Sequence, residues 1–207
     1  MGLKPILELD YSSFRWYKLS DVDFTSLSVG EVPFTSVADA GTVSVMDFRF
    51  DPLVSGEPAV PAGLRATSAS PGFYMIQFVG PTKDSWLAQL EAAGISVLQY
   101  YPQNTYLTWT TGETAKVAEG LRFVRWQGSF QPAYKISPFL RALNGRITNV
   151  AITFYNDGNI QDTLTRITDF GGGYILHSPA QPDGRFYTAI FTLDASRLVD
   201  VARINTV

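Results

Sequence analysis

The sequence contains no cysteine and a single histidine, and these shortages exclude several classes of function. Without cysteine the chain has no thiol nucleophile, no disulfide and no thiolate metal ligand. No apolar run approaches the roughly 18 residues that a membrane-spanning helix requires. The 16 Lys and Arg residues, against 19 Asp and Glu, form no basic run. We therefore expect neither a membrane nor a nucleic-acid partner.

Catalytic motifs are missing as well. The histidine, His177, follows a short apolar run and precedes two prolines, which favours a polar strand-edge residue over a general base. The sequence has no P-loop, GxGxxG, HExxH or GxSxG pattern. Asp157 and Asp162 fit helix-cap and helix-surface positions at least as well as an acid–base pair. The sequence predicts a chain that is not an enzyme and that uses no cofactor or metal.

Hydrophobic residues make up 45% of the chain and charged residues 17%, which is enough apolar material for folded cores. Residues 72–136 show strand patterns alternating with helix patterns. Thr82 is the expected cap of the first helix, and Gly94 ends it. Thr110 and Glu113 form a capping-box pattern for the second helix. The predicted order is β-α-β-β-α-β, the ferredoxin-like arrangement, with two helices on one sheet face and the other face available.

Residues 147–207 repeat that order. Asp157 is the expected cap of the first helix of this repeat, which the Gly171–Gly173 cluster ends, and Asp194 is the expected cap of the second helix. Placing Val207 over Val124 leaves the repeat without most of its fourth strand. The predicted fold class is α+β, with tandem ferredoxin-like domains at 72–140 and 145–207.

Residues 1–66 are predicted to form a small, poorly defined α+β segment, a degenerate half repeat. Strands are expected at Phe14–Leu19, Phe34–Val37 and Val43–Phe50, and Asp21 is expected to cap a short helix that runs to Leu27. Residues 55–72 and 131–144 are rich in proline, glycine or small residues and are predicted linkers.

Three stretches carry a resemblance to a known family: Tyr74-Met-Ile-Gln-Phe-Val-Gly-Pro81, Gly94-Ile-Ser-Val-Leu-Gln-Tyr-Tyr-Pro102-Gln-Asn-Thr-Tyr106, and Phe123-Val-Arg-Trp126 with Gln131-Pro-Ala-Tyr-Lys-Ile-Ser-Pro138. They resemble the N-terminal pro-regions of large bacterial secreted subtilisin-like serine proteases. The resemblance implies a propeptide that acts as an intramolecular chaperone and inhibitor of the cognate catalytic domain, in the secreted or cell-envelope fraction. The protease motifs Asp-Ser/Thr-Gly, His-Gly-Thr and Gly-Thr-Ser-Met-Ala are absent, and no signal peptide is recognisable at Met1.

The resemblance also implies which residues would contact the protease. The open sheet face would dock on surface helices, and a C-terminal tail would enter the substrate cleft by strand addition. The candidate tail comprises Ile204, Asn205, Thr206 and Val207. The aromatic residues Tyr100, Tyr101, Tyr106 and Trp109 are a candidate partner surface, and equally suit cross-strand pairing and core packing. The alternative function is a free-standing ferredoxin-like interaction or ligand-binding module.

Overall fold

The computed structural model describes residues 4–25, 33–67, 71–179 and 183–207. The protein is of the α+β class, with small antiparallel sheets and short helices. Its strands are β1 Leu7–Asp10, β2 Arg15–Lys18, β3 Val43–Val45, β4 Phe48–Phe50, β5 Gly72–Phe78, β6 Ser96–Tyr101, β7 Thr105–Thr110, β8 Val124–Ser129, β9 Arg146–Tyr155, β10 Tyr174–Pro179 and β11 Phe186–Asp194. Its helices are α1 Asp21–Thr25, α2 Asp84–Ala92, α3 Gly112–Glu119, α4 Pro138–Arg141, α5 Ile160–Thr168 and α6 Leu198–Ala202, with 3₁₀ helices at Ala62–Leu64, Pro132–Lys135 and Ala195–Arg197.

Four strands form the larger sheet, in the order β6-β7-β5-β8, with every neighbouring pair antiparallel. Helices α2 and α3 pack on one face of this sheet. Their side chains Trp86, Leu90 and Ala118 join Ile76 and Phe78 of the central strand in one buried cluster. The turn between β6 and β7 places Gln103 and Asn104 at φ of 56° and 57°. Two consecutive left-handed residues suit the twist of a tight hairpin, and asparagine tolerates this conformation well.

Three strands form the second sheet, in the order β10-β11-β9, again antiparallel. Alternate residues of β9 and β11 face α5 and α6, so that Phe154, Phe191, Leu164 and Val201 share one core. Within the described residues no strand pairs along the outer edge of β9. The amide of Tyr155, at the end of that edge, donates to the Thr206 carbonyl at 2.6 Å.

The N-terminal segment is attached to the larger sheet by two hairpins. In the first, β1 pairs with β2, and the hydroxyl of Tyr11 donates to the carbonyl of Pro81. In the second, β3 pairs with β4 around a tight turn in which Met46 has a φ of 50°. The prediction of one continuous strand over Val43–Phe50 is therefore wrong, because the turn at Met46 folds it in two. Phe34–Val37 does not form a strand, and β1 was not predicted.

The predicted helix starts differ from the observed ones by one or two residues. Helix α2 begins after Lys83, which provides no side-chain cap, and the Thr82 hydroxyl bonds the Tyr106 hydroxyl at 2.9 Å instead. Helix α3 is capped by Thr111 rather than Thr110. Helix α5 is capped by Asn159 rather than Asp157.

The remaining two predicted helix starts, Asp194 and Asp21, lie at the starts of helical segments. Asp194 does cap its segment, as expected, through the amide of Ser196. Asp21 is the first residue of α1, where the Ser20 hydroxyl accepts the Asp23 amide. Leu27, the predicted helix end, lies outside the described residues.

Candidate interaction surfaces

The second face of the four-stranded sheet is covered by other parts of the chain. Met75, on this face, is fully buried with Val43, Phe50 and Tyr134. Phe73, on the same face, stacks on Phe186 of the smaller sheet at 6.4 Å between ring centroids. The expectation that this face is available is therefore wrong, because the β3–β4 hairpin, the 3₁₀ helix Pro132–Lys135 and one end of the smaller sheet pack against it.

A polar network covers the remaining part of the second face of the four-stranded sheet. The guanidinium of Arg125 donates to both carboxylate oxygens of Asp51 and, at 2.7 Å, to the side-chain oxygen of Gln77. Gln77 is fully buried, and its amide donates to the carbonyls of Thr42 and Gln103. Since a buried polar group is costly unless it is hydrogen-bonded, this network specifies how the hairpin is seated.

The four aromatic residues of the β6–β7 hairpin do not share one surface. Tyr100 and Tyr106 are cross-strand partners with ring centroids 5.3 Å apart, on the face that carries the helices. Tyr101 and Trp109 lie on the opposite face and pack against the cluster around Phe73. Only Tyr100 is exposed, at 53% of its surface. The hairpin therefore brings these residues together as two pairs on opposite sides of the sheet.

The four candidate tail residues are packed against the rest of the chain. Ile204 is 1% exposed and belongs to the core of the smaller sheet, and Thr206 is 5% exposed. The Thr206 hydroxyl bonds the Thr163 hydroxyl at 2.7 Å. Asn205 donates to the carbonyl of Pro71, and Val207 packs against the same core as Ile204. In this conformation the segment is not an extended tail. Strand addition in a protease cleft would therefore first require removal of the segment from the core.

Part of one face of the smaller sheet remains uncovered by the described residues, whereas Phe186, at the end of the same face, packs on the larger sheet. Along β10, β11 and β9, Ile175 pairs with Ile190, and Ile190 pairs with Ala151. The neighbouring Thr188 and Thr153 bond each other through their hydroxyls at 2.9 Å. Ile175 is 72% exposed. We call the surface formed by these five residues the isoleucine–threonine face. It comprises Ile175, Ile190, Ala151, Thr188 and Thr153, none of which is charged.

The sequence already contained a signal for the isoleucine–threonine face. Thr188, Ile190 and Thr192 alternate with Ala189, Phe191 and Leu193, which is the period of a strand with two different faces. These residues were not predicted as a partner surface, because the alternation does not show which of the two sheets has an uncovered face.

Of the residues considered for catalysis, the structure describes the side chains of Asp157 and Asp162. His177 lies within β10, and its side chain is outside the described part of the structure. The Asp157 carboxylate accepts the backbone amide of Asn159 at 3.0 Å, a local turn contact. In the described ranges no three His, Asp or Glu side chains are grouped closely enough to hold a metal ion. None of the helices that the structure describes combines the length and the apolar character needed to cross a membrane.

Two ionisable residues near the junction of the sheets have strongly shifted pKa values. Burial lowers the pKa of Lys135 to about 7, and its ammonium donates to the carbonyl of Ile204 at 3.1 Å. Burial, and secondarily the nearby charge of Glu57, raises the pKa of Tyr134, whose hydroxyl is buried without a hydrogen-bond partner in the described structure. Burial also raises the pKa of Glu57. Nothing in the local sequence around Lys135 predicted its desolvation.

Comparison with known families gives one match. Residues 44–131 match a family described as a domain of unknown function (DUF8729). The matched range begins in the β3–β4 hairpin and ends just after β8, so it includes both the four-stranded sheet and the hairpin packed against it. No curated protein matches the chain.

Proposed function

We propose that the chain is the non-catalytic pro-region of a subtilisin-like serine protease, and that it binds the cognate catalytic domain as an inhibitor and folding assistant. The sequence resemblance at residues 74–140 supports this proposal. The order β6-β7-β5-β8, with α2 and α3 on one face, is also that of a ferredoxin-like domain, the fold that the resemblance implies. The smaller sheet has three strands, and their order and connections are those of the first three strands of a ferredoxin-like domain. This supports a tandem arrangement.

The observation that carries the proposal is the isoleucine–threonine face. A propeptide of this type docks an open sheet face on helices of its protease, and the larger sheet has no such face free. The exposed Ile175 and the partly exposed Ile190 provide the apolar centre. An interface of standard size buries roughly 800 Å² per partner and keeps charged residues away from its centre. The uncharged row across β10, β11 and β9 fits that composition.

The packed position of Ile204 and Thr206 favours a second candidate, a free-standing interaction module that uses the same face. A module of this kind would bind a partner without entering any active site. The two candidates differ in one measurable property, because the pro-region inhibits a protease and the module does not.

The test is a titration of the purified chain against subtilisin-like catalytic domains from the same genome, with a chromogenic peptide as substrate. We expect slowed proteolysis together with binding at micromolar concentration or tighter. Binding without inhibition would favour the interaction module over the pro-region as the function of the chain. No binding would overturn the docking proposal.

Substitutions on the isoleucine–threonine face locate the contact. Ile175→Lys and Ile190→Lys introduce a charge at the centre of the proposed interface, so we expect each to weaken binding by about tenfold or more. Val117→Lys is the matched control, because Val117 is also an exposed aliphatic residue but lies on α3. Equal effects of all three substitutions would contradict docking through this face.

The proposed absence of catalysis has its own test. The purified chain is expected not to cleave casein or peptide substrates, and His177→Ala is expected to change nothing. Turnover that persists through purification and is abolished by His177→Ala would overturn this part of the proposal. The secreted or cell-envelope location belongs to the same proposal and is tested by fractionating the source cells.

A further inference from the structure

A small pocket lies where separate parts of the chain meet near the junction of the two sheets, and it encloses about 40 Å³. Its wall is formed by the segment after the 3₁₀ helix Ala62–Leu64, the start of β5, the end of β8, the 3₁₀ helix Pro132–Lys135 and the segment after α6. Three of its lining residues carry a positive charge: Arg65, Lys135 and Arg203. None of the lining residues is acidic.

No carboxylate among the described residues neutralises these three cations. Lys135 donates one hydrogen bond, to the carbonyl of Ile204, and its ammonium lies 5.5 Å from the centre of the Phe73 ring. Arg65 donates through Nε to the carbonyl of Val60 at 3.2 Å. In the described part of the chain none of the three forms an ion pair with a carboxylate.

An unpaired ammonium in a desolvated position is energetically costly. A lysine has three N–H donors, and a single carbonyl leaves two of them without an acceptor among the described residues. Burying an ammonium without a counter-ion is unfavourable because the charge loses its hydration. This desolvation disfavours the charged form and therefore lowers the pKa of Lys135. An anion in the pocket would accept the free donors and offset the charge.

We propose that this pocket binds a small oxyanion, a phosphate or carboxylate group, held by Lys135, Arg65 and Arg203. Guanidinium and ammonium groups form charge-assisted hydrogen bonds to such oxygens, and these are about twice as strong as neutral hydrogen bonds. The exposed guanidinium groups of Arg65 and Arg203 can turn toward the pocket, since neither is held by a carboxylate in the described structure. This site is separate from the isoleucine–threonine face and does not depend on the proposed function.

The bound anion would connect segments that are distant in sequence. In the sequence Arg65 precedes the larger sheet and Lys135 follows it, and Arg203 directly follows α6, which packs on the smaller sheet. Asn205, beside Arg203, already bonds the carbonyl of Pro71 at 3.3 Å. An oxyanion that joins the three cations would therefore strengthen the attachment of the smaller sheet to the larger one.

The experiment is an NMR titration of the complete chain with inorganic phosphate, and separately with acetate. Sodium chloride at equal ionic strength is the reference, and the pH is about 6, below the pKa of Lys135. We expect saturable shifts of the backbone amides of Lys135, Arg203 and Asn205 with at least one oxyanion. Tighter binding of phosphate assigns the site to a phosphate group, and equal or tighter binding of acetate assigns it to a carboxylate. Shifts no larger than those in chloride would overturn the proposal.

Two variants test the assignment to this pocket. Arg203→Gln removes an exposed charge and should leave the fold intact, and we expect it to weaken oxyanion binding by about tenfold. Lys135→Met removes the ammonium and should abolish saturation. Arg166→Gln, an exposed arginine on α5, is the matched control and should bind as the unmodified chain does. If Arg203→Gln binds as tightly as the control, the pocket is not the site.

Discussion

The guanidinium of Arg125 donates two hydrogen bonds to the carboxylate of Asp51, at 2.7 and 2.8 Å, and so fastens the β3–β4 hairpin to strand β8. The side chains are 14% and 25% exposed, and the same guanidinium bonds Gln77 and the carbonyl of Gly41. Removing one partner of such a pair leaves the other desolvated and unpaired. The contact therefore decides whether the hairpin covers the larger sheet.

We expect Arg125→Met to lower the free energy of unfolding by about 2–4 kcal/mol, because it leaves the Asp51 carboxylate and the side-chain oxygen of the buried Gln77 without the guanidinium that donates to them. Chemical denaturation measures the loss. Arg49→Met is the control, since Arg49 pairs with Asp39 in an exposed position and such pairs contribute less than about 1 kcal/mol. Equal losses in the two variants would show that the Arg125 network is unimportant for stability.

Tyr134→Phe is expected to leave the protein as stable as before, or to stabilise it by up to about 1 kcal/mol. Its hydroxyl is buried and has no hydrogen-bond partner among the described residues, so its removal relieves a desolvation cost while the ring keeps its contact with Phe48. Tyr106→Phe is the matched comparison and should destabilise by about 1 kcal/mol, because that hydroxyl bonds Thr82. A loss of stability in Tyr134→Phe, measured by thermal unfolding, would indicate a partner for its hydroxyl.

Stability is expected to rise with pH above about pH 7 in chloride buffers that contain no oxyanion. Burial lowers the pKa of Lys135 from 10.5 to about 7, so between these values the unfolded chain binds more protons than the folded one. The cost of the buried ammonium is complete below pH 7 and is relieved as the pH increases, by roughly 1 kcal/mol per pH unit. Melting temperatures between about pH 6 and pH 9 should show this rise, and Lys135→Met should flatten it.

Gly172→Ala is expected to destabilise the protein by about 2–4 kcal/mol. Gly172 has a φ of 134°, and an added Cβ would lie 1.7 Å from the carbonyl oxygen of Thr192 on β11. The adjacent Gly173 is the control, because a Cβ there would meet nothing within 4 Å. If thermal unfolding of the two alanine variants is indistinguishable, the close approach to Thr192 is not maintained in solution.

Ile204→Ala should cost about 2–4 kcal/mol, the usual loss for emptying a buried aliphatic position. Removal of residues 204–207 should lower the melting temperature further, since it also deletes the acceptor of the Lys135 ammonium. Val117→Ala, at an exposed helix position, should have little effect. A truncated chain that melts like the complete one would show that the segment is detachable, which would restore it as a candidate cleft-binding tail.

Much of the local structure could be predicted from single residues and short patterns. Strands β5 Gly72–Phe78 and β11 Phe186–Asp194 follow from alternating and β-branched or aromatic residues, and Gln103-Asn104 marks the hairpin turn. The cap positions were less predictable, because Thr110 and Thr111 are equally good caps by type. Only the path of the backbone directs the Thr110 hydroxyl to the carbonyl of Gly94 and leaves Thr111 to cap α3.

The sequence by itself determined that the protein has no thiol chemistry, that it is built from α and β elements, and in which order the elements between residues 72 and 129 follow one another. These properties depend on composition and on periods of two or about four residues, which are local. Only the tertiary structure decided that Phe73 meets Phe186, that Ile204 is buried and that the described residues leave the surface around Ile175 and Ile190 uncovered. Each of these depends on contacts between segments far apart in the chain, and a strand pattern is the same whether its second face meets solvent or another sheet.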